Sequence, residues 1–163
     1  MVLKQGSEME ISDLLAHDAV VAKLNVSSKK QLLQELARIA APRVGMDERI
    51  IFDTLLERER LGTTGVGNGI AIPHGKLDAM TGIRGFFVQM EKPVDFDAID
   101  EQPVDLFFLL LAPASAGADH LKALARVSRL LRDRGTCEKL RGAETPDALF
   151  ALLTEQESAS HAA

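Results

Sequence analysis

The stretch Val104-Asp105-Leu106-Phe107-Phe108-Leu109-Leu110-Leu111 decides the fold class, because all of its residues except Asp105 are apolar. A strand-length run of this kind is typical of a buried strand in the middle of a sheet. Two further strands are predicted earlier in the chain, from Ala19 to Leu24 and from Ile83 to Met90, with a brief one from Ile70 to Ile72. The segments between these strands therefore decide what packs against the sheet.

Apolar residues at three- and four-residue steps predict helices in those segments. The clearest stripe contains Leu32, Leu33, Leu36, Ile39 and Ala40. The predicted helices are a short one from Ile11 to Leu15, one from Ser27 or Ser28 to about Ala41 that Pro42 and Gly45 end, one from the cap Asp47 to about Leu61, one from Ala118 to Arg134, and a last one that opens at Thr145-Pro146. Helices and strands that interleave in this way predict an α/β fold.

The composition indicates one globular domain. The chain has 163 residues, and we assign residues 1–157 to a single domain and residues 158–163 to a frayed tail, since the chain is polar and rich in Ala and Ser from Glu155 onward. The formal net charge is -5, and Lys and Arg are mixed with Asp and Glu, which argues against a nucleic-acid partner.

The cysteine count and the hydropathy of the chain exclude further classes of protein. A single cysteine, Cys137, cannot form an internal disulfide, and no Cys/His cluster has zinc spacing, so we expect no metal site. No apolar run approaches the roughly 20 residues that span a bilayer, and the first ten residues lack the features of a signal peptide. We therefore expect a cytoplasmic protein without membrane insertion.

The segment most informative about function is glycine-rich and runs from Gly62 to Gly75. The backbone N–H groups around Gly67, Asn68 and Gly69 can approach an anion closely, because glycine has no Cβ. His74 follows between a proline and a glycine, which suits an exposed imidazole. Neutral imidazole is a nucleophile near neutral pH, so the segment suits phosphoryl transfer to His74.

Two cationic or polar side chains are candidates for holding the phosphoryl group. Arg58 lies at the end of the helix that leads into the glycines, where a planar guanidinium can bind phosphate oxygens. His120 lies in the first turn of a predicted helix, where the partial positive charge favours anions.

Each of these residues also has a simpler interpretation. Glycines in such a pattern are more often turn formers, and a lone histidine is usually a surface or hydrogen-bonded residue. Arg58 can be a solvated helix charge paired with Glu57 or Glu59. Nucleotide motifs are absent: Gly75-Lys76 is followed by Leu77 rather than Ser or Thr, and Ile70 stands where a dinucleotide fingerprint needs glycine.

The segment GTTGVGNGIAIPHGKL closely resembles the active-site motif of the IIA component of the bacterial phosphotransferase system. The match is to the fructose/mannitol class, and within it to the nitrogen-regulatory branch, EIIA-Ntr. The resemblance covers nearly the whole chain, including ISDLLAHDAVVAKLNVSSKKQLLQELARIAA, KPVDFDAIDEQPVDLFFLLLAP and DHLKALARVSRLLRD. Thr63-Thr64 stands where the family often has Ser-Thr, which retains a hydroxyl.

The resemblance implies a fold and a set of site residues. The fold is a mixed β-sheet flanked by α-helices on both faces. His74 is implied as the phosphoryl acceptor, with Arg58 and His120 as its catalytic partners. The expected phosphate-binding residues are Thr63, Thr64, Gly67, Asn68, Gly69 and Gly75.

The resemblance also implies partners. The phosphoryl group would come from phosphoenolpyruvate through enzyme I and an HPr-like phosphohistidine protein (NPr), with no cofactor. The chain would then be a phosphocarrier in nitrogen regulation rather than a turnover enzyme, and targets such as potassium transporters or sensor kinases are expected to respond to its phosphorylation state. Two alternatives remain: a free-standing fructose- or mannitol-type EIIA that passes phosphate to an EIIB, and a sensor module that binds an anion without covalent chemistry. A hydrolase that uses His74 as a base has less support, because no G-x-S-x-G motif is present.

Overall fold

The strand Val104–Pro113 lies at the centre of a six-stranded mixed sheet. The structure is a computed structural model that describes residues 9–162, with side chains for residues 9–155. The elements are α1 (Ile11–Leu14), β1 (Leu15–Leu24), α2 (Lys29–Val44), α3 (Glu48–Arg60), β2 (Gly65–Gly67), β3 (Ile70–Ala71), β4 (His74–Leu77), β5 (Arg84–Val94), β6 (Val104–Pro113), α4 (Ala118–Leu131), α5 (Arg134–Gly142) and α6 (Pro146–Ala162).

The strand order is β1-β5-β6-β3-β2, and β4 also pairs with β6. β5 runs antiparallel to β6, whereas β3 and β4 run parallel to it, and β1 is parallel to β5. Consecutive residues of β6 from Leu106 to Ala112 are all fully buried, although they point alternately to opposite faces. Both faces of the sheet are therefore covered, and the predicted mixed sheet flanked by helices is confirmed.

β3 and β4 pair with different parts of the same neighbouring strand, β6. Ile70 pairs with Leu106, whereas His74 pairs with Leu110, four residues further along β6. At about 3.3 Å per residue in a parallel sheet, this is a separation of about 13 Å. The turn before β3 and the histidine after it therefore lie at different heights in the sheet.

The N-terminal helices form where their caps were predicted. Ser28 caps α2 by accepting a hydrogen bond from the Gln31 N–H at 3.1 Å, and Asp47 caps α3 by accepting one from the Arg49 N–H at 2.8 Å. Gly45 ends α2 in the left-handed region at φ 69°. Pro42, which was expected to help end this helix, lies inside its last turn instead. A proline there removes one backbone hydrogen bond and crowds the carbonyl four residues earlier, and this cost is confined to the last turn because Gly45 ends the helix three residues later.

The single helix predicted from Ala118 to Arg134 is wrong at its C-terminal end. α4 ends at Leu131, and Asp133 caps a separate helix, α5, by accepting a hydrogen bond from the Gly135 N–H at 3.0 Å. Gly135, the residue directly after the predicted helix, lies in the first turn of α5. A capping aspartate beside it creates the new start, and α5 buries Thr136, Cys137 and Leu140.

The other differences concern short or terminal elements. β2 and β4 were not predicted as strands, because their glycines and His74 carry no alternating pattern. The backbone of α6 is helical to Ala162. Ala and Glu are good helix formers, which favours a helix in this segment.

Within the described part of the chain, no helix is both long and apolar enough to cross a membrane.

Candidate functional site

An open pocket of about 680 Å³ lies where β4 meets α3 and α4. It brings together His74 from β4, Arg58 from the last turn of α3, and His120 from the first turn of α4. These three candidate residues come from separate parts of the sequence, and the fold places them around one cavity. The remaining lining residues are Thr54, Glu57, Arg60, Leu61, Gly75, Lys76, Leu121 and Leu124.

Strand alternation aims His74 at this pocket. Gly75 and Leu77 are buried on one side of β4, so His74 and Lys76 project from the other side. Gly75 also allows α3 to approach β4 closely: a Cβ at this position would lie 2.7 Å from the Cγ2 of Thr54. The glycine after the histidine therefore sets the distance between His74 and the helix that carries Arg58.

The two ring nitrogens of His74 have different partners. Nδ1 lies 2.9 Å from the carbonyl oxygen of Ile72, which only accepts hydrogen bonds, so the proton belongs on Nδ1. Nε2 then carries a lone pair, and it accepts a hydrogen bond from Arg58 Nε at 3.1 Å. This hydrogen-bond pattern makes Nε2 the nucleophilic nitrogen and aims it toward a guanidinium.

Both histidines favour the neutral form. Burial lowers the pKa of His74 below its ordinary value, and the positive charge of Arg58 adds to this, although the Ile72 carbonyl acts in the opposite direction. Burial also lowers the pKa of His120, with further contributions from His74 and Lys76. A neutral His74 keeps its Nε2 lone pair at physiological pH, as a nucleophile requires.

Arg58 is held in place from two directions. Its Nε atom donates to His74, and its Nη1 atom donates to the carbonyl oxygen of Gly62 at 2.8 Å. Arg58 also lines the pocket, and a guanidinium has five N–H donors, so it retains donors that can bind phosphoryl oxygens. The structure therefore places Arg58 in direct contact with His74, as the proposed role of both residues requires.

His120 packs beside His74, with the two ring centroids 5.6 Å apart and the planes tilted by 56°. It is 5% exposed, and its Nδ1 atom has no hydrogen-bond partner within the described residues. A buried polar nitrogen without a partner costs free energy, so it is a natural contact for a ligand that enters the pocket.

The structure does not bring the glycine turn into this pocket. The N–H of Asn68 donates to Asp100 at 2.9 Å, and a Cβ on Gly69 would lie 2.6 Å from Arg141. Positive φ angles of 103°, 59° and 80° at Gly67, Asn68 and Gly69 show that these residues form a tight turn. Their expected role as a phosphate cradle is not supported by their position, and only Gly75 of the predicted glycines lines the pocket.

The two threonines also have other partners. The Thr63 hydroxyl donates to the carbonyl oxygen of Phe96 at 3.1 Å. The Thr64 hydroxyl is buried and donates to the carboxylate of Glu59. Neither threonine lines the pocket, so the structure does not place them as phosphate ligands.

Sequence reasoning missed Lys76 and Glu59. Lys76 lines the pocket because it lies two residues after His74 on the same strand, a spacing that identifies it once β4 is recognised as a strand. Glu59 gave no signal in the sequence, because one of its partners, Lys29, lies 30 residues earlier in the chain. No group of three or more His, Cys, Asp or Glu side chains that could hold a metal lies within the described residues.

Comparison of the sequence with known proteins shows which family the chain belongs to. Residues 13–156 match the family model described as "Phosphoenolpyruvate-dependent sugar phosphotransferase system, EIIA 2". The "Nitrogen regulatory protein" of Bradyrhizobium diazoefficiens is 55% identical over 145 residues, which cover 89% of this chain and 95% of that protein. The "PTS system fructose-specific EIIA component" of Haloferax volcanii is 36% identical, over 90% of this chain and 96% of that protein.

A solved structure agrees with these sequence matches. The crystal structure of "Nitrogen Regulatory Protein IIA-Ntr" from Neisseria meningitidis superposes with a TM-score of 0.84 and 33% sequence identity. The match covers 88% of this chain and 99% of that chain, so both share the whole architecture.

Proposed function

Since this chain belongs to the EIIA 2 family of the phosphoenolpyruvate-dependent sugar phosphotransferase system, we propose that it is a phosphocarrier that accepts a phosphoryl group on Nε2 of His74. The donor is the phosphohistidine of an HPr-like protein. The names of the nitrogen regulatory relatives support a regulatory role, in which target proteins respond to the phosphorylation state. Potassium transporters and sensor kinases are candidate targets.

The observation that carries this proposal is the hydrogen-bond pattern of one ring. The carbonyl of Ile72 fixes the proton on Nδ1, and Nε2 faces Arg58 inside an open pocket. A neutral nucleophile beside a permanent positive charge is the arrangement that phosphoryl transfer needs, because positioning and charge stabilisation dominate its catalysis.

The transfer exchanges one phosphorus–nitrogen bond for another. The Nε2 lone pair attacks phosphorus in line, and the electron pair of the donor's P–N bond stays on the donor imidazole. The proton on Nδ1 remains hydrogen-bonded to Ile72, which stabilises the positive charge that develops on the ring. Arg58 then donates to the phosphoryl oxygens instead of to Nε2. The scheme includes no metal or cofactor, because the bonds formed and broken are of the same kind.

Apolar residues at the mouth of the pocket suit contact with a protein donor. Leu61 is 85% exposed and Leu121 is 67% exposed, and both line the pocket. Exposed leucines beside a reactive group favour association with another protein surface. In this proposal the donor covers these two leucines when its phosphohistidine reaches His74.

The test is incubation with phosphoenolpyruvate, enzyme I and an HPr-like donor, followed by measurement of acid-labile, base-stable phosphoprotein. The wild-type chain should be labelled, and the His74→Ala variant should not. The matched control is His17→Ala, because His17 lies on β1 and contacts Asp147 rather than the pocket. Equal labelling of the His74→Ala variant would exclude the proposal.

The same assay separates the two alternatives. Transfer of label from this chain to an EIIB would identify a sugar-specific EIIA. Saturable binding of phosphate esters without any phosphoprotein would identify a sensor that holds an anion without a covalent bond.

A further inference from the structure

We propose that Glu59 is a positioning residue for this transfer, whose carboxylate holds both Arg58 and the His74 ring in the reactive arrangement. The inference rests on the proposed function, since it concerns the same site. The Glu59 side chain is 3% exposed, and it follows Arg58 on α3 but does not line the pocket. A buried carboxylate outside the reacting centre must have a role that its contacts explain.

The contacts of this carboxylate are all directed at the start of the glycine segment and at α2. Glu59 accepts a hydrogen bond from the Thr64 N–H at 3.1 Å and another from the Thr64 hydroxyl. Lys29, in the first turn of α2, lies 3.0 Å from Glu59 Oε1. These charge-assisted contacts satisfy both carboxylate oxygens and fix the side chain in one orientation.

The first consequence concerns Arg58. The bond from Thr64 to Glu59 closes a short loop, and Gly62 lies inside that loop. The Gly62 N–H donates to the Glu59 carbonyl at 3.1 Å, and the Gly62 carbonyl accepts from Arg58 Nη1 at 2.8 Å. The carboxylate therefore fixes the position of the acceptor that orients the guanidinium.

The second consequence concerns His74. The Thr64 carbonyl accepts a hydrogen bond from the Ile72 N–H at 3.0 Å, and the Ile72 carbonyl accepts the Nδ1 proton of His74 at 2.9 Å. The group that selects the tautomer of His74 is thus attached through Thr64 to the same carboxylate. Through these hydrogen bonds Glu59 supports both Arg58 and His74, although its carboxylate contacts neither the phosphoryl donor nor the accepting ring.

Thr64 offers a more selective test than Glu59, because removal of a buried charge can unfold the chain. In Thr64→Val the hydroxyl donor is lost and the shape is kept, whereas in Thr64→Ser the hydroxyl is kept and a methyl is lost. Asp97→Asn is the matched control, because Asp97 contacts the same Lys29 at 3.7 Å from an exposed position with 76% of its side chain accessible.

The experiment measures single-turnover phosphorylation at saturating HPr-like donor, well below the melting temperature of each variant. Thr64→Val should be slower by about tenfold or more, since a small misplacement of reacting groups has effects of this size. Thr64→Ser and Asp97→Asn should stay near the wild-type rate. Nitrogen NMR of the His74 ring should show the Nδ1–H tautomer in wild type and a mixture of tautomers in Thr64→Val.

Three outcomes would overturn the inference. One is a folded Thr64→Val variant with the wild-type rate and the wild-type tautomer. Another is equal slowing of Thr64→Ser, which would assign the effect to packing of the methyl group. The third is a folded Glu59→Gln variant that transfers at the wild-type rate. Absence of label on the wild-type chain would instead defeat the proposed function, so the two failures are distinguishable.

Discussion

Arg58 donates its Nε hydrogen to Nε2 of His74 at 3.1 Å, so the guanidinium occupies the lone pair that would attack phosphorus in the proposed transfer. In the proposed transfer, Arg58 orients the ring beforehand, and the same donor binds a phosphoryl oxygen afterwards. Leu61 lines the same pocket and is 85% exposed. Arg58 is therefore close to the surface that a protein donor would contact.

The first prediction is that Arg58→Ala slows phosphorylation of His74 by about a hundredfold to a thousandfold, the range seen when a donor to developing charge is removed. Stability should change little, because Arg58 is at a partly exposed helix end. Rapid-quench measurement of phosphoprotein and thermal melting report the two effects separately.

The control for this variant is Arg49→Ala, on the first turn of the same helix, where the side chain is 80% exposed and pairs with Asp53. Its transfer rate should equal that of wild type. Unchanged kinetics in Arg58→Ala would show that another cation, such as Lys76, supplies the charge.

The second prediction concerns stability against pH. Burial lowers the pKa of His120 in the folded chain, and the unfolded chain has an ordinary value of about 6.5. The unfolded state therefore binds more protons as pH falls, and the free energy of unfolding decreases below about pH 6.5. One histidine contributes up to about 1.4 kcal/mol of this decrease between pH 7.5 and 5.5.

Urea unfolding at pH 7.5 and pH 5.5 checks this prediction in wild type and in His120→Gln. The variant should lose less stability on acidification than wild type, because glutamine does not titrate. His17→Gln, which changes an exposed histidine, should behave as wild type does. An identical loss in wild type and His120→Gln would contradict the role of burial.

The third prediction is that Leu121→Asp weakens donor docking. An exposed side chain contributes little to folding, so the melting temperature should stay close to that of wild type. The donor concentration that gives half-maximal rate should rise by about tenfold, since a buried apolar contact is replaced by a charge.

Ile99→Asp is the matched control, because Ile99 is 71% exposed but does not line the His74 pocket. It should leave the dependence on donor concentration unchanged. If Ile99→Asp weakens the donor as strongly as Leu121→Asp does, the docking surface is not the one around His74.

The fourth prediction concerns the packing of α3 on β4. Gly75→Ala should destabilise the chain by about 1–3 kcal/mol, as expected for overpacking, because the new Cβ would lie 2.7 Å from Thr54 Cγ2. Adding Thr54→Ser removes that methyl and keeps the hydroxyl that donates to Ile50, so the double variant should recover most of the loss. Urea unfolding of the single and double variants measures this, and additive losses would rule out the proposed clash.

The sequence by itself determined the α/β class and the central strand, and it singled out the candidate site residues His74, Arg58 and His120. The apolar run from Val104 to Leu111 is removed from water only where both faces of the sheet are covered. Caps such as Ser28 and Asp47 accept hydrogen bonds from backbone N–H groups a few residues away. Such features depend on local periodicity and composition, which are visible in a linear sequence. The pairing of His74 with Arg58 was also predicted, because the motif between them has a recognisable family pattern.

Only the tertiary structure decided which neighbours of His74 in the sequence are neighbours in space. β3 and β4 pair with different parts of β6. The turn at Asn68 therefore lies against Asp100 and away from the pocket. Lys76 and Leu121 enter the pocket through strand pairing and helix packing, which join segments that are distant in the sequence. Glu59 is similar: its charge is stable in the interior only because Lys29 and Thr64 converge on it after the chain has folded.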